Sequence, residues 1–284
     1  MPLRIFNNIN SQFAQNRLNN NNENLGKVIS KVSSGKRVQK NSDDVASHVI
    51  AESLNSDART IRQGLRNLQN GRSLINIAEG GLTDVAGMLN RSIELAFQAS
   101  TGTTGSEERK TLQLEYEALK QEINRIANTN EFSGQNLLDG SLAASSSSGD
   151  IIIHIGLDSS NENRINLNKT LNLEAITTTG LGIDALDMST AEGAKAALGK
   201  LQEAIDTLIN TRGRIGASHN SLTRAIQSLG VNIENITAAE STIRDSDMAQ
   251  EVTDLTKQLL LTQTSAAMVG QSNLIPEGVL MLLQ

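Results

Sequence analysis

The amino-acid sequence predicts a mainly α protein: an elongated antiparallel helical bundle or coiled coil with a small β-hairpin, plus a terminal two-helix coiled coil made from both chain ends. Apolar residues recur at spacings of three and four over most of the 284 residues, as they do in helix seams. No proline lies between Pro2 and Pro276, so no helix between them is interrupted by one. Aromatic residues make up 2% of the chain, and a core of Leu, Ile and Ala suits packed helices.

The first predicted helix, residues 3–34, is weak. Its run from Asn19 to Asn22 forms helix poorly, at a cost of up to roughly 0.7 kcal/mol per residue relative to alanine, so the helix needs a partner. Gly35 ends it, and Asp43 and Asp44 offer caps for the next helix. Its apolar positions have heptad-compatible spacing: Leu3, Phe6, Phe13, Leu18, Leu25, Val28 and Val32.

A second helix is predicted from Val45 to Ser100, about 80 Å long at about 1.5 Å per residue. After a turn at 101–105, a shorter helix carries the stripe Leu112, Tyr116, Leu119, Ile123 and Ile126. Residues 143–149 form a serine-rich loop, and 151–155 with 164–168 are expected to form a hairpin. A long return helix follows from near Thr190 to Ile243.

The apolar stripe is re-phased after Ile243, because the next apolar residue, Met248, lies five positions on. Asp245 and Asp247 sit in this gap and supply N-cap chemistry for a separate terminal helix over 248–284. Two terminal helices of similar length, each with one stripe, most simply pair with each other. We expect subunit assembly to involve this seam: Leu18, Leu25, Val32, Met248, Val252, Leu255, Leu259, Val269, Leu280 and Leu283.

Composition and motifs argue against several functions. A net charge of −6 argues against nucleic acid or an anionic membrane as the main partner. No apolar stretch approaches the roughly 20 residues of a membrane span, and the first residues lack the apolar region of a cleaved signal. Asp245 and Asp247 have no third ligand at metal spacing, and a register-setting role suits His219 on the seam better than catalysis. The sequence predicts no enzyme, cofactor or metal site.

Several ordered motifs resemble those of bacterial flagellins. At the carboxyl end these are Ser241-Thr-Ile-Arg-Asp-Ser-Asp-Met-Ala-Gln-Glu-Val-Thr-Asp-Leu-Thr-Lys257 and Gln271-Ser-Asn273; at the amino end they are Val32-Ser-Ser-Gly-Lys-Arg-Val38, Ser42-Asp-Asp-Val-Ala46 and Arg66-Asn-Leu-Gln-Asn-Gly71. The resemblance covers about 1–142 and 190–284 and departs from the family at Lys36, Val38 and Gln39. It implies a short flagellin that lacks the outer variable domains.

The resemblance implies a structural, self-assembling subunit of the bacterial flagellar filament, exported by the flagellar type III system for motility. Terminal segments 1–34 and 248–284 would form the inner filament core, with joints at 35–44 and 244–247. Residues 45–142 and 190–243 would form a helical rod domain, with the loop and hairpin region at 143–189. Implied partners are further copies of the chain, an export chaperone, and cap and hook-junction proteins. The alternative is a hook–filament junction protein, and neither reading fixes whether the filament is external or periplasmic.

The resemblance also implies an innate-receptor epitope. Leu89 to Gln98 resembles the segment that Toll-like receptor 5 recognises in this family, and Arg91, Leu95 and Glu122 match it. Ile93 stands where an arginine is usual, which removes a fork-shaped donor that isoleucine cannot replace. We therefore expect weak recognition, with contacts between filament subunits as the alternative role of these residues.

Overall fold

The computed structural model describes residues 8–144 and 150–282, with side chains as far as Leu274 at the carboxyl end. The helices in these ranges are α1 (Ile9–Ser34), α2 (Val45–Ser100), α3 (Ser106–Thr129), α4 (Leu167–Leu171), α5 (Ala191–Arg244) and α6 (Met248–Leu282). The strands are β1 (Glu131–Phe132), β2 (Gln135–Asn136), β3 (Ile152–His154) and β4 (Arg164–Asn166). The chain forms two compact units: a terminal unit, residues 1–56 with 235–284, and a central unit, residues 57–234.

The mainly α fold class is confirmed, with long antiparallel helices packed together and small two-stranded hairpins. The second predicted helix has the bounds expected from its pattern, and the return helix begins one residue later than Thr190. The helix breaks fall at 35–44 and 245–247. The division of the chain into an inner core, joints and a rod domain stays a prediction.

One continuous hydrophobic core fills the central unit. It joins α2, α3 and α5, and Tyr116 at its centre is fully buried. The stripes that the 3-4 spacing indicates supply about a third of its buried residues: Leu68, Ile75, Leu82, Val85, Leu89, Ile123, Leu201, Leu208, Ile215 and Leu222. Across the core, Arg212 on α5 donates both Nε and Nη2 to Oε1 of Glu79 on α2, at 2.9 and 2.7 Å. Burial of these stripes explains why the pattern forms helices here.

The predicted β-hairpin is confirmed in a shorter form. Strand β3 pairs antiparallel with β4, with Ile153 opposite Ile165. The hairpin lies directly on α2 at Gly64, where an added Cβ would stand 2.7 Å from the carbonyl oxygen of Ile155. A larger residue at that position would push the hairpin off the helix.

A second hairpin and a buried strap are features that periodicity did not indicate. Strands β1 and β2 pair through a two-residue turn in which Ser133 and Gly134 have φ of 54° and 80°, as primed hairpin turns require. Residues 172–190, the strap, have no regular strands or long helix, yet they run through the core. Their buried side chains are Leu173, Ile176, Leu181, Ile183 and Met188.

Candidate functional site

In the terminal unit, α1 and α6 pair antiparallel, and many of their Cα atoms approach within 8 Å of each other. Polar side chains bridge them along their length. The Asn8 amide donates to the carbonyl oxygen of Ser272 at 2.8 Å, and the Asn21 amide donates to the Ser265 hydroxyl at 2.7 Å. Small residues at the contact, including Ala14 and Ser265, allow this close backbone approach. The pair therefore combines these polar bridges, which contribute little net stability each, with half-buried apolar side chains such as Leu18, Leu25 and Val269.

The predicted seam requires a correction on α6. Leu255, Thr262 and Val269 lie on the side facing α1, but Val252 is 48% exposed and Leu259 42% exposed. The side chains that face α1 instead lie one residue earlier on the helix and are less exposed: Glu251, Gln258, Ser265 and Ser272. On α1, Leu18, Leu25 and Val32 are half-buried as expected, whereas Phe13 is exposed. The physical reason is that apolar residues occur on most sides of α6, and contact with α1 covers the side that carries Leu255 and Val269 together with the shorter Ser265 and Ser272.

Two predicted seam residues fall outside this description: no side chain is described for Leu280, and Leu283 lies beyond the described residues. Leu3 and Phe6 at the amino end likewise precede the described residues. Met248 is described, and its side chain is 43% exposed at the start of α6. The assembly role of all these residues stays a prediction.

Large apolar side chains cover the outside of the terminal unit. Among its described residues, Val38 and Ala51 are the buried apolar ones, so the unit has almost no core. Those left exposed are Ile9, Phe13, Ile29, Val45, Val49, Ile50, Met248, Val252, Leu259, Leu260, Leu261, Met268 and Leu274. Exposed apolar surface of this extent is typical of a protein that another molecule covers.

An apolar groove of about 450 Å³ lies between α1 and α6. Phe13, Ala14 and Arg17 line it from α1, and Met268 and Gln271 line it from α6. The Arg17 guanidinium stands 5.1 Å from the centroid of the Phe13 ring, a cation–π distance. We call this feature the terminal groove, and its side chains offer a concave complement to an apolar side chain of another molecule.

Backbone hydrogen bonds link the two helix breaks of the terminal unit. The Arg37 N–H donates to the carbonyl oxygen of Arg244 at 2.7 Å, and the Ser246 N–H donates to that of Gly35 at 3.0 Å. Gly35 has φ of 67°, a left-handed conformation that glycine adopts without strain. These bonds tie the end of α1 to the start of α6 and fix where their pairing begins.

Most of the aspartates at these breaks cap helices or turns. Asp247 accepts from the N–H of Ala249 at 2.9 Å, and Asp44 accepts from the Ser47 hydroxyl at 2.6 Å and from its N–H at 3.1 Å. The bonds from Ser47 lower the pKa of Asp44. Backbone bonds from Gln39 and then Lys40 lower that of Asp43. The carboxylates of Asp43, Asp44 and Asp247 are thus occupied by backbone donors, as capping requires. Asp245 differs, because its carboxylate accepts from the Ser241 hydroxyl at 2.6 Å, so the N-cap prediction holds for Asp247 and is wrong for Asp245.

The three residues predicted as a receptor epitope lie in different environments. Arg91 is half-exposed and donates to Glu94 and to Glu115, at 2.9 Å in each case. These bonds raise the pKa of the Arg91 guanidinium above its ordinary value. Glu122 is partly exposed and bound by Arg125, whose hydrogen bond lowers the Glu122 pKa. Leu95 is fully buried in the core. We therefore remove Leu95 from the predicted contact surface, because it presents no atoms to a partner.

Within the described ranges, no helix has the combination of length and apolar character that a membrane span requires. In the same part of the chain, no three His, Asp or Glu side chains gather where they could hold a metal ion.

The fold and these surfaces define a class: a helical structural protein whose paired ends carry exposed apolar faces. Residues 5–143 match the bacterial flagellin N-terminal helical region, and residues 198–283 match the bacterial flagellin C-terminal helical region. The chain belongs to the bacterial flagellin family. The resemblance drawn from its sequence motifs is thereby confirmed.

Relatives match over nearly their whole length. The chain is 36% identical over 283 residues to the flagellar filament 30.7 kDa core protein of Treponema maltophilum, covering 98% of this chain and 99% of that protein. It is 34% identical over 317 residues to a flagellin of Bacillus subtilis, covering 99% of this chain and 100% of that protein. These relatives are flagellar filament proteins and flagellins, and nothing in the comparisons favours a hook–filament junction protein.

Among solved structures, the crystal structure of Bacillus cereus flagellin is 28% identical with a TM-score of 0.48, covering 58% of this chain and 88% of that one. A flagellar hook-associated protein from Vibrio parahaemolyticus has a TM-score of 0.58 at 16% identity, covering 72% of this chain and all of that one. At that identity the second likeness shows a shared fold alone.

Proposed function

We propose that this chain is the structural subunit of a flagellar filament, which grows by covering the exposed faces of α1 and α6 with further copies of the same chain. The observation that carries the proposal is the contrast between the two units. The central unit has a continuous buried core, whereas the described part of the terminal unit has two buried apolar residues and many exposed ones. A segment with so little core gains its burial from other molecules.

The distribution of exposed residues on α6 favours a polymer over a closed dimer. At about 100° per residue, the exposed apolar positions from Val252 through Leu261 to Leu274 span about half of the helix circumference. The side facing α1 occupies much of the remainder. A helix that is apolar on so many sides suits contact with more than one neighbour. Heterologous contacts that do not close into a ring extend into a helical assembly.

A single substitution tests this proposal. Leu260 is 59% exposed on α6, so Leu260→Asp leaves the free subunit folded. In the polymer, burial of the unpaired carboxylate costs several kcal/mol. We expect the variant to lose the ability to elongate filament seeds, measured by light scattering and electron microscopy. Leu260→Met keeps an apolar side chain of similar volume at the same position and should elongate normally. Normal filaments from Leu260→Asp would refute the proposal.

We extend the proposal to domains and location on the strength of the family resemblance. Segments 1–34 and 248–284 form the inner core of the filament, and residues 35–44 and 244–247 are the joints. The subunit leaves the cytoplasm through the flagellar type III exporter with an export chaperone, and it meets cap and hook-junction proteins in the filament. Its role is structural and motile, with no reaction assigned to it. Imaging of labelled subunits on intact cells distinguishes an external filament from a periplasmic one.

We also propose that free subunits bind Toll-like receptor 5 weakly through a surface centred on Arg91 and Glu122. Both side chains are already engaged by neighbours on α2 and α3, so receptor binding must compete with these ion pairs. Arg91→Ala should lower signalling in a reporter-cell assay, with Arg66→Ala elsewhere on α2 as the control. Equal signalling by parent and Arg91→Ala would contradict the proposal.

A further inference from the structure

The methionines of this chain differ in exposure. Met188 is fully buried in the core of the central unit, and Met88 packs against that core. Met248 is 43% exposed and Met268 is 57% exposed, both on α6. Solvent access governs how readily a peroxide reaches a thioether. In the free subunit, the two α6 methionines are therefore the reactive ones among those whose side chains are described.

Met268 differs from Met248 in its surroundings. It lines the terminal groove together with Phe13, Ala14 and Arg17, and Met248 does not. The groove lies on a surface that we propose a second copy of the chain covers in the filament. The Met268 thioether is then open to solvent before polymerisation and enclosed afterwards.

We propose that Met268 is a site of reversible oxidation by peroxides that controls polymerisation: its sulfoxide blocks a free subunit from joining, and burial in the filament protects the thioether. The inference rests on the proposed function, because only assembly covers the groove. It adds a chemical switch to that function, with hydrogen peroxide as the oxidant.

The reaction balances with peroxide alone. The Met268 sulfur donates an electron pair to one peroxide oxygen, an S–O bond forms, and the O–O bond breaks. The second oxygen leaves as hydroxide and takes up a proton to give water. Sulfur is oxidised by two electrons and the peroxide is reduced by two. A methionine sulfoxide reductase reverses the change.

The groove explains why the sulfoxide should block assembly. Oxidation turns a flexible apolar side chain into a polar one with a strong acceptor, and an acceptor buried without a donor is unfavourable. The Thr264 hydroxyl donates to the carbonyl oxygen of Leu260, and the Ser272 hydroxyl donates to that of Val269. Arg17, Asn10 and Gln271 also line the groove and carry N–H donors, but turning Arg17 toward the sulfoxide would remove its guanidinium from the Phe13 ring. The sulfoxide should therefore block assembly chiefly because it replaces an apolar contact with a polar group that an apolar side chain of the second copy cannot satisfy.

The test treats full-length subunits with hydrogen peroxide before or after polymerisation, and peptide mass spectrometry then locates the sulfoxides. Met188 is the internal reference for a protected methionine. We expect Met268 to oxidise in free subunits and to be protected in filaments. Treated subunits should elongate seeds at least about tenfold more slowly, a factor equivalent to about 1.4 kcal/mol, and reductase should restore the rate.

Matched variants show whether oxidation of Met268 or of Met248 causes the loss of elongation. Met268→Leu keeps an apolar side chain that peroxide does not oxidise, so its elongation should survive treatment, whereas Met248→Leu should remain sensitive. Met268→Gln should elongate slowly without any oxidant, whereas untreated Met268→Leu should elongate at the rate of the parent. If treated Met268→Leu loses as much activity as the treated parent, the inference is overturned although the filament role stands. If the untreated parent fails to elongate seeds, the proposed function itself fails.

Discussion

Tyr116 is the single tyrosine of the chain, and it joins the strap to the helical core. Its ring is fully buried, and its hydroxyl donates to the carbonyl oxygen of Ile183 at 2.8 Å. Tyr116→Phe removes that donor and leaves a buried carbonyl oxygen without it. Such a loss costs about 1–3 kcal/mol. We expect the free energy of unfolding of the central unit to fall by that amount, measured by urea denaturation followed by circular dichroism.

The pH dependence gives a second, independent readout of the same contact. Burial, and then the charge of Asp184, raise the pKa of Tyr116 above its ordinary value of 10.0. The folded chain therefore keeps a proton that the unfolded chain releases above pH 10, so stability is full below that value and falls as the pH rises beyond it. The difference in stability between parent and Tyr116→Phe should shrink at high pH. Absorbance of tyrosinate in the parent should rise only as the protein unfolds.

An exposed contact elsewhere on α3 supplies the control. The Lys110 ammonium donates to the Glu107 carboxylate at 2.8 Å, and its side chain is 64% exposed. Lys110→Met should change stability by no more than about 0.5 kcal/mol, as surface substitutions usually do. Equal stability of parent and Tyr116→Phe, or ordinary titration of Tyr116 in the folded protein, would refute the reasoning.

Three further predictions concern the ends and the hairpin. Amides of α1 and α6 should exchange rapidly in free subunits and slowly in filaments, because the described part of the terminal unit has almost no buried core. Slow exchange in free subunits would count against this. The double variant Leu255→Asp with Leu259→Asp should keep its central unit folded but should neither elongate seeds nor restore motility. One new carboxylate faces α1 and the other faces the outer surface, so both contacts are disturbed. Normal filaments from this variant would contradict the prediction. The Ser160 hydroxyl and N–H, with the Asn163 amide, lower the pKa of Asp158 to about 2, so the turn should lose this stabilisation as pH falls from about 4 to about 2. Titration of this carboxyl by NMR near its ordinary pKa of 3.8 would rule the prediction out.

The sequence by itself determined the long helices and where they break. The 3-4 spacing over Val45 to Ser100 and from about 190 to 243 is sustained for many turns, so one face is marked without ambiguity. Gly35 and Asp247 mark ends through local backbone chemistry, namely a left-handed turn and an N-cap, which depend on no distant contact. The motifs at both ends also sufficed to indicate the family.

Other features depended on contacts that no local pattern records. The strap has no period, and only packing against Tyr116 and its neighbours shows that residues such as Ile183 belong to the core. The Ser133-Gly134 turn is the local signal that could have indicated the first hairpin.

Which side of α6 is covered by α1 also depended on the tertiary structure. Apolar residues occur on most sides of this helix, so more than one stripe fits the 4-3 rhythm. The close backbone of α1 selected the stripe with Ser265 and left Leu259 outside. Leu95 is a second case in which the sequence did not show what is covered. Its motif suggested an exposed position, and only the packed core shows that the side chain is buried. A period in the sequence marks a face of a helix, but the neighbouring segment decides which face is covered.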